Sequence, residues 1–142
     1  MNDKPQGLLL VQILLTITAG EFFGPVIRDF GPSHAFNPEW VGHARVHTVW
    51  ALGFMFFSGI ANLWLLWFRK PFDLGNIRLS CIWQACNLGG FWASYILLPI
   101  YGGVMTMPDT HIDIMGYDEN VVAFTVFSVI WAAAAVRLKS IS

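Results

Sequence analysis

The sequence predicts an all-α fold, an integral membrane antiparallel four-helix bundle formed by one domain over residues 1–142. Hydrophobic residues make up 56% of the chain and charged residues only 12%, whereas about 25% charge is usual for a soluble domain. The apolar residues also collect in four stretches, each long enough to cross the ~30 Å hydrocarbon core of a bilayer. The net charge of −1 gives no electrostatic basis for binding nucleic acid. Membrane lipid is therefore the expected surroundings and partner.

The four apolar stretches define the predicted helices, which are separated by short polar connections. In the first helix, Gly24 and Pro25 are expected to kink or end the helical run, because proline removes a backbone donor. Since every connection is short, consecutive helices are expected to run antiparallel. The predicted helices cover about residues 7–27, 42–68, 77–101 and 120–136.

The distribution of basic residues predicts the orientation of the chain. Six of the eight lie at the termini or close to the connection between the second and third helices: Lys4, Arg69, Lys70, Arg78, Arg137 and Lys139. Only Arg28 and Arg45 lie in or near the other two connections. Basic residues are enriched in cytoplasmic loops. Both termini are therefore predicted to be cytoplasmic, with residues 28–42 and 102–119 on the opposite face.

A group of titratable residues falls on that non-cytoplasmic side. His43 and His47 are four residues apart and share one face of the second helix, and Ser58 and Asn62 continue the same face. Polar side chains in a membrane helix are expected to face the interior of the bundle. Glu21 lies at a similar depth on the first helix and is expected to approach both histidines. Glu21, His43 and His47 are therefore the predicted catalytic residues.

An apolar pocket for a substrate is predicted beside this trio. Its expected lining consists of aromatic and amide residues of the second and third helices: Trp50, Phe54, Gln84, Asn87, Trp92 and Tyr95. Polar residues near the mouth of the pocket are expected to be accessory: Arg45, Asp109, His111 and Asp113. A histidine beside a desolvated carboxylate is suited to moving protons on a buried substrate. The predicted function is an acid–base enzyme or binding protein for an isoprenoid, sterol-like or aromatic molecule, with no cofactor required.

Three alternatives use the same residues differently. His43 and His47 have the spacing of a two-ligand metal site, so a divalent metal ion is an alternative cofactor, although no third ligand is fixed by local spacing. The buried polar groups also suit a structural or assembly subunit, because interhelical hydrogen bonds hold membrane helices together. Transport is a further alternative. Four helices are few for a solute path, although a homo-oligomer could form a pore.

One segment carries a resemblance to known proteins. Residues 37–47 read NPEWVGHARVH, which resembles the signature N-P-x-W-x-x-H-A-R-x-H of small, uncharacterised four-helix membrane proteins of bacteria and fungi. This resemblance implies the four-span layout and no activity. The overall plan is also similar to that of the emopamil-binding sterol isomerases, which place histidine and glutamate in an aromatic-rich membrane cavity. That likeness is one of architecture, since no motif matches residue by residue.

Overall fold

The computed structural model describes residues 6–105 and 112–141, and the predicted all-helical fold is confirmed there. The helices are α1 (Leu8–Thr18), α2 (Gly20–Asp29), α3 (Gly42–Trp67), α4 (Leu74–Tyr101) and α5 (Glu119–Ser140). A short antiparallel hairpin, β1 (Asp113–Ile114) with β2 (Tyr117–Asp118), precedes α5. Because α1 and α2 are two segments of one interrupted helix, each predicted helix has its counterpart in the structure.

The interruption of the first helix lies at Ala19, and α2 continues through Gly24 and Pro25 to Asp29. The prediction that these two residues would end the helix is therefore wrong, and a kink there stays a prediction. The Thr18 hydroxyl donates to the carbonyl of Leu14 at 3.0 Å, a side-chain bond that often bends helices. The helix then begins again as α2 with a tight turn, in which the Phe22 N–H donates to the Ala19 carbonyl at 3.1 Å. Pro25 follows soon after this new start and removes one backbone hydrogen bond, which leaves α2 intact.

Hydrogen bonds between helices show which ends lie together. The Gln12 side chain near the start of α1 donates to the Leu66 carbonyl near the end of α3. The Trp131 indole of α5 donates to the Cys81 carbonyl near the start of α4 at 2.9 Å. The Arg28 guanidinium at the end of α2 binds the Glu119 carboxylate at the start of α5 at 2.7 Å. These bonds join the start of α1 to the end of α3, the start of α4 to the second half of α5, and the end of α2 to the start of α5.

The hydrophobic core occupies the end of the molecule near the chain termini. Its buried members come from α1, α3, α4 and α5: Leu8, Val11, Leu15, Leu66, Ile77, Cys81, Ala134 and Leu138. A buried polar network adjoins this core. The Ser80 hydroxyl donates to the Asn62 side-chain oxygen at 2.7 Å, and the Gln84 amide donates to the Leu15 carbonyl at 3.0 Å. The opposite end of the molecule is more open.

Three helical stretches are long and apolar enough to cross a membrane, namely Leu8–Asp29, Gly42–Trp67 and Glu119–Ser140. The remaining predicted span, α4, is a helix of 28 residues. Polar residues along α4, Gln84 and Asn87 among them, lower its mean hydropathy. Within the described part of the chain, α4 is therefore not apolar enough to be counted as a membrane-spanning helix with the other three. Large apolar side chains are exposed on the outer faces of the qualifying helices, and the exposed fraction is 62% for Leu9 and 69% for Phe57. These properties are consistent with a membrane protein.

Candidate functional site

A cavity of about 530 Å³ lies at the open end of the molecule, between α2, α3, α4 and α5. This volume is within the range of about 300–1,000 Å³ typical of small-molecule sites. Its wall is largely apolar and includes Phe22, Phe54, Met55, Trp83, Phe91 and Phe124. The Phe91 and Phe124 rings are stacked, with centroids 3.9 Å apart and planes 12° from parallel. The cavity therefore has a largely apolar wall that contains a stacked pair of aromatic rings.

Charged residues line the mouth of this cavity. The Arg28 guanidinium donates from Nε and Nη2 to the same Glu119 carboxylate oxygen, at 2.9 and 2.7 Å. The His34 imidazole lies 3.6 Å from the Asp29 carboxylate. Both pairs belong to the cavity lining, so they bring α2, the following connection and the start of α5 together around its entrance.

Glu21 lies directly behind the cavity wall. Its side chain is completely buried, and its polar neighbour is Asn87, which itself lines the cavity. Within the described part of the chain, neither Glu21 carboxyl oxygen nor the Asn87 amide nitrogen has a partner at hydrogen-bonding distance. Buried polar atoms without partners are uncommon because each one loses its hydration. Glu21 and Asn87 therefore place buried polar atoms without partners beside the cavity.

His43 and His47 lie together but away from Glu21. The two Nε2 atoms are 3.0 Å apart, and both side chains are exposed. Ser58 and Asn62 on the same helix face are buried, as predicted. The expectation that this polar face points into the protein is therefore confirmed for Ser58 and Asn62 and is wrong for the two histidines. The predicted approach of Glu21 to the histidines is therefore wrong.

The relative lengths of α2 and α3 explain this divergence. The ring of Phe23 on α2 lies against Gly59 on α3. From that contact outward α2 has only six further residues, since it ends at Asp29. Its end therefore faces α3 at about residue 53, and the first turns of α3 extend past it. A polar stripe is buried only where a neighbouring helix is present to cover it.

The predicted pocket residues are found in several environments. Phe54 and Asn87 line the cavity. Gln84 is completely buried and belongs to the interhelical polar network instead. The Trp92 indole donates to the Ser128 hydroxyl at 2.9 Å, and the exposed Tyr95 ring stands edge-on to Trp92. Binding roles for these residues remain predictions, with Phe54 and Asn87 in the most suitable positions.

The remaining predicted residues lie outside the cavity. Trp50 is 69% exposed and shares a shallow outer groove with Arg45. Asp113 accepts a hydrogen bond from the Gly116 N–H at 2.8 Å and so stabilises the hairpin turn, where Gly116 adopts a positive φ of 87°. The predicted accessory residues Asp109 and His111 lie outside the described residues.

Several cavity residues were not identified from the sequence, among them Arg28, Asp29, His34 and Glu119. A signal was present for the Arg28–Glu119 pair. Opposite charges at the end of the first predicted helix and the start of the last are brought to one end of the molecule by antiparallel packing. For the wall residue Trp83 the sequence holds no such signal, because its position depends on the rotation of α4 about its own axis.

No group of three or more histidine, cysteine, aspartate or glutamate residues suited to a metal ion occurs within residues 6–105 and 112–141. Comparison with protein-family models, with curated proteins and with solved structures gives no match for this chain. The class is therefore defined by the fold itself: a helical protein in which three helices are apolar enough to cross a membrane and a cavity lies at one end.

Proposed function

We propose that the chain is an integral membrane antiparallel four-helix bundle that binds a lipophilic small molecule in the cavity between α2, α3, α4 and α5. The observation that carries this proposal is the cavity of about 530 Å³, with an aromatic wall and a charged mouth. Apolar walls with a few convergent polar groups are typical of ligand sites. A membrane-embedded site of this kind receives lipophilic molecules directly from the bilayer.

Glu21 is the residue proposed for acid–base chemistry on such a ligand. It is buried, its carboxyl oxygens are unpaired, and its polar neighbour Asn87 faces the cavity. A carboxyl group in this position is suited to exchanging a proton with an apolar substrate from which water is excluded. Asn87 would orient the ligand. In this proposal His34 and Asp29 at the mouth replace His43 and His47 as the second titratable group.

The proposed orientation places both termini in the cytoplasm. It is supported by the excess of Lys and Arg at the two termini and close to the connection between the second and third predicted helices. The cavity mouth, with Arg28 and Glu119, would then lie near the non-cytoplasmic face.

A cavity-filling substitution tests the binding function. Gly90 lines the cavity, and a Cβ atom placed there meets nothing within 4 Å. Gly90→Phe should therefore place a ring inside the cavity without a backbone clash. The neighbouring Gly89 has equal space but does not line the cavity, so Gly89→Phe is the matched control.

The measurement is saturable binding of the neutral fluorophore N-phenyl-1-naphthylamine to the full chain in lipid nanodiscs, above the background of empty nanodiscs. The expected result is binding of one molecule per chain that is lost in Gly90→Phe and kept in Gly89→Phe. Equal, non-saturable uptake by all three proteins would overturn the proposal.

A divalent metal ion at His43 and His47 is a second candidate function, favoured by the 3.0 Å separation of the two Nε2 atoms. Zinc–nitrogen bonds of about 2.0–2.1 Å allow both imidazoles to bind one ion, with water or a second copy of the chain completing the shell. Titration with Zn²⁺ should give a site that is lost in His43→Ala and retained in His34→Ala. Equal affinities in wild type and His43→Ala would exclude the site.

A further inference from the structure

The described lining of the cavity carries an excess of negative charge. Its carboxylates are Asp29, Asp118 and Glu119, and its basic side chains are Arg28 and His34. Arg28 forms an ion pair with Glu119 at 2.7 Å. Asp118 accepts a hydrogen bond from the Asn120 N–H at the start of α5 at 2.9 Å. The described lining therefore holds three carboxylates against one guanidinium and one imidazole, and the imidazole of His34 pairs with Asp29 at 3.6 Å.

The wall behind these carboxylates is rich in aromatic rings. Phe22, Phe54, Trp83, Phe91 and Phe124 all line the cavity. The faces of aromatic rings carry negative electrostatic potential, so they attract cations, and organic ammonium groups in particular. Aromatic rings of this wall would therefore contact both the apolar part and the charged part of an organic cation.

The buried carboxyl of Glu21 is a third feature that favours a positively charged ligand. It lies behind the cavity wall, and its carboxyl oxygens have no hydrogen-bond partner among the described residues. A cation in the cavity would favour the ionised form of this group across Asn87. The apolar surroundings screen charge poorly, so the cation and the ionised carboxylate would attract each other strongly.

We infer that the ligand of the cavity is a lipophilic cation, an aromatic or alkyl ammonium compound, an inference that rests on the proposed binding function. Lining carboxylates, aromatic faces and the unpaired Glu21 favour positive charge over neutral or negative charge. Hydrophobic contact retains the apolar portion of the ligand, and the carboxylates select its charge.

A matched pair of probes separates charge from shape. Benzyltrimethylammonium and neopentylbenzene differ only by a cationic nitrogen in place of a quaternary carbon. Binding of each to the full chain is measured by equilibrium dialysis in phosphatidylcholine nanodiscs, a zwitterionic lipid that adds no net surface charge, with empty nanodiscs subtracted. We expect the cation to bind at least about tenfold more tightly than its neutral counterpart, as short-range charge attraction allows.

Two substitutions locate the origin of the preference. Asp29→Asn and Glu21→Gln each remove a carboxylate with little change of shape, and each should reduce the cation preference several-fold. Asp73→Asn is the control, because Asp73 caps α4 outside the cavity lining and asparagine is an equally good cap. The preference should be unchanged in this control.

The possible outcomes separate this inference from the proposed function. Binding of neopentylbenzene as tight as that of benzyltrimethylammonium would overturn the cation inference and leave the binding function standing. Binding of neither probe would refute the cavity as a ligand site and the inference with it. A cation preference that survives both Asp29→Asn and Glu21→Gln would overturn the assignment of selectivity to these carboxylates.

Discussion

Replacement of Glu21 by leucine distinguishes a functional carboxyl from a structural one. Glu21 is completely buried and neither carboxyl oxygen has a hydrogen-bond partner in the described part of the chain. A buried polar group without a partner costs about 1–3 kcal/mol of stability. Leucine has a similar volume and no polar atom, so Glu21→Leu should raise the free energy of unfolding by about 1–3 kcal/mol. Ligand binding and any turnover should be lost in the same variant.

The matched control is another buried polar residue, Gln12, which does have a partner. Its amide donates to the Leu66 carbonyl near the C-terminal end of α3, where helix carbonyls lack intrahelical partners. Gln12→Leu removes that donor from a buried acceptor, and it should lower stability by about 1–3 kcal/mol. The two substitutions are alike in chemistry and opposite in expected sign.

Thermal denaturation in detergent, followed by near-ultraviolet circular dichroism of the tryptophans, measures both effects. For a chain of this length 1 kcal/mol corresponds to about 4 °C in Tm, so shifts of about 4–12 °C in opposite directions are expected. A fall in Tm for Glu21→Leu comparable to that for Gln12→Leu would refute the reasoning. It would assign Glu21 to interhelical hydrogen bonding, as in a structural subunit.

Two further predictions concern packing and topology. Gly59→Ala should lower stability by about 1–3 kcal/mol relative to Gly53→Ala on the same helix, because a Cβ at Gly59 meets the Phe23 ring at 2.5 Å and one at Gly53 meets nothing within 4 Å; equal Tm values for the two variants would contradict the close α2–α3 contact. Single cysteines introduced by Ser33→Cys and Ser140→Cys should react with a membrane-impermeant maleimide from opposite sides of sealed vesicles, and same-side labelling would overturn the proposed orientation.

Helix boundaries were predictable from local sequence to within a few residues. The second predicted helix, residues 42–68, is found as Gly42–Trp67, and the last extends to Ser140 beyond its predicted end at residue 136. The exact position of the break in the first helix was not predictable. Gly24 and Pro25 were the obvious candidates, yet the helix is interrupted at Ala19. The neighbouring Thr18 hydroxyl donates a hydrogen bond to the Leu14 carbonyl one turn earlier.

The candidate site was only partly predictable. Glu21 and Asn87 were singled out as polar groups in apolar helices; Asn87 lines the cavity, and Glu21 is buried beside it. His43 and His47 satisfied the same criterion, but they lie on a part of α3 that no other described helix covers. Helical periodicity places residues on a common face, whereas burial of that face requires a partner helix of sufficient length.

The sequence by itself determined the helical class, the number of helices and the concentration of polar groups toward one end, because these follow from local hydropathy and from the order of residues along the chain. Only the tertiary structure decided which polar groups share a cavity. Arg28 and Glu119 are 91 residues apart and meet in an ion pair, while Glu21 and His43 lie much closer in sequence and remain separate. Such proximity depends on the lengths, rotations and contacts of whole helices, which no local pattern specifies.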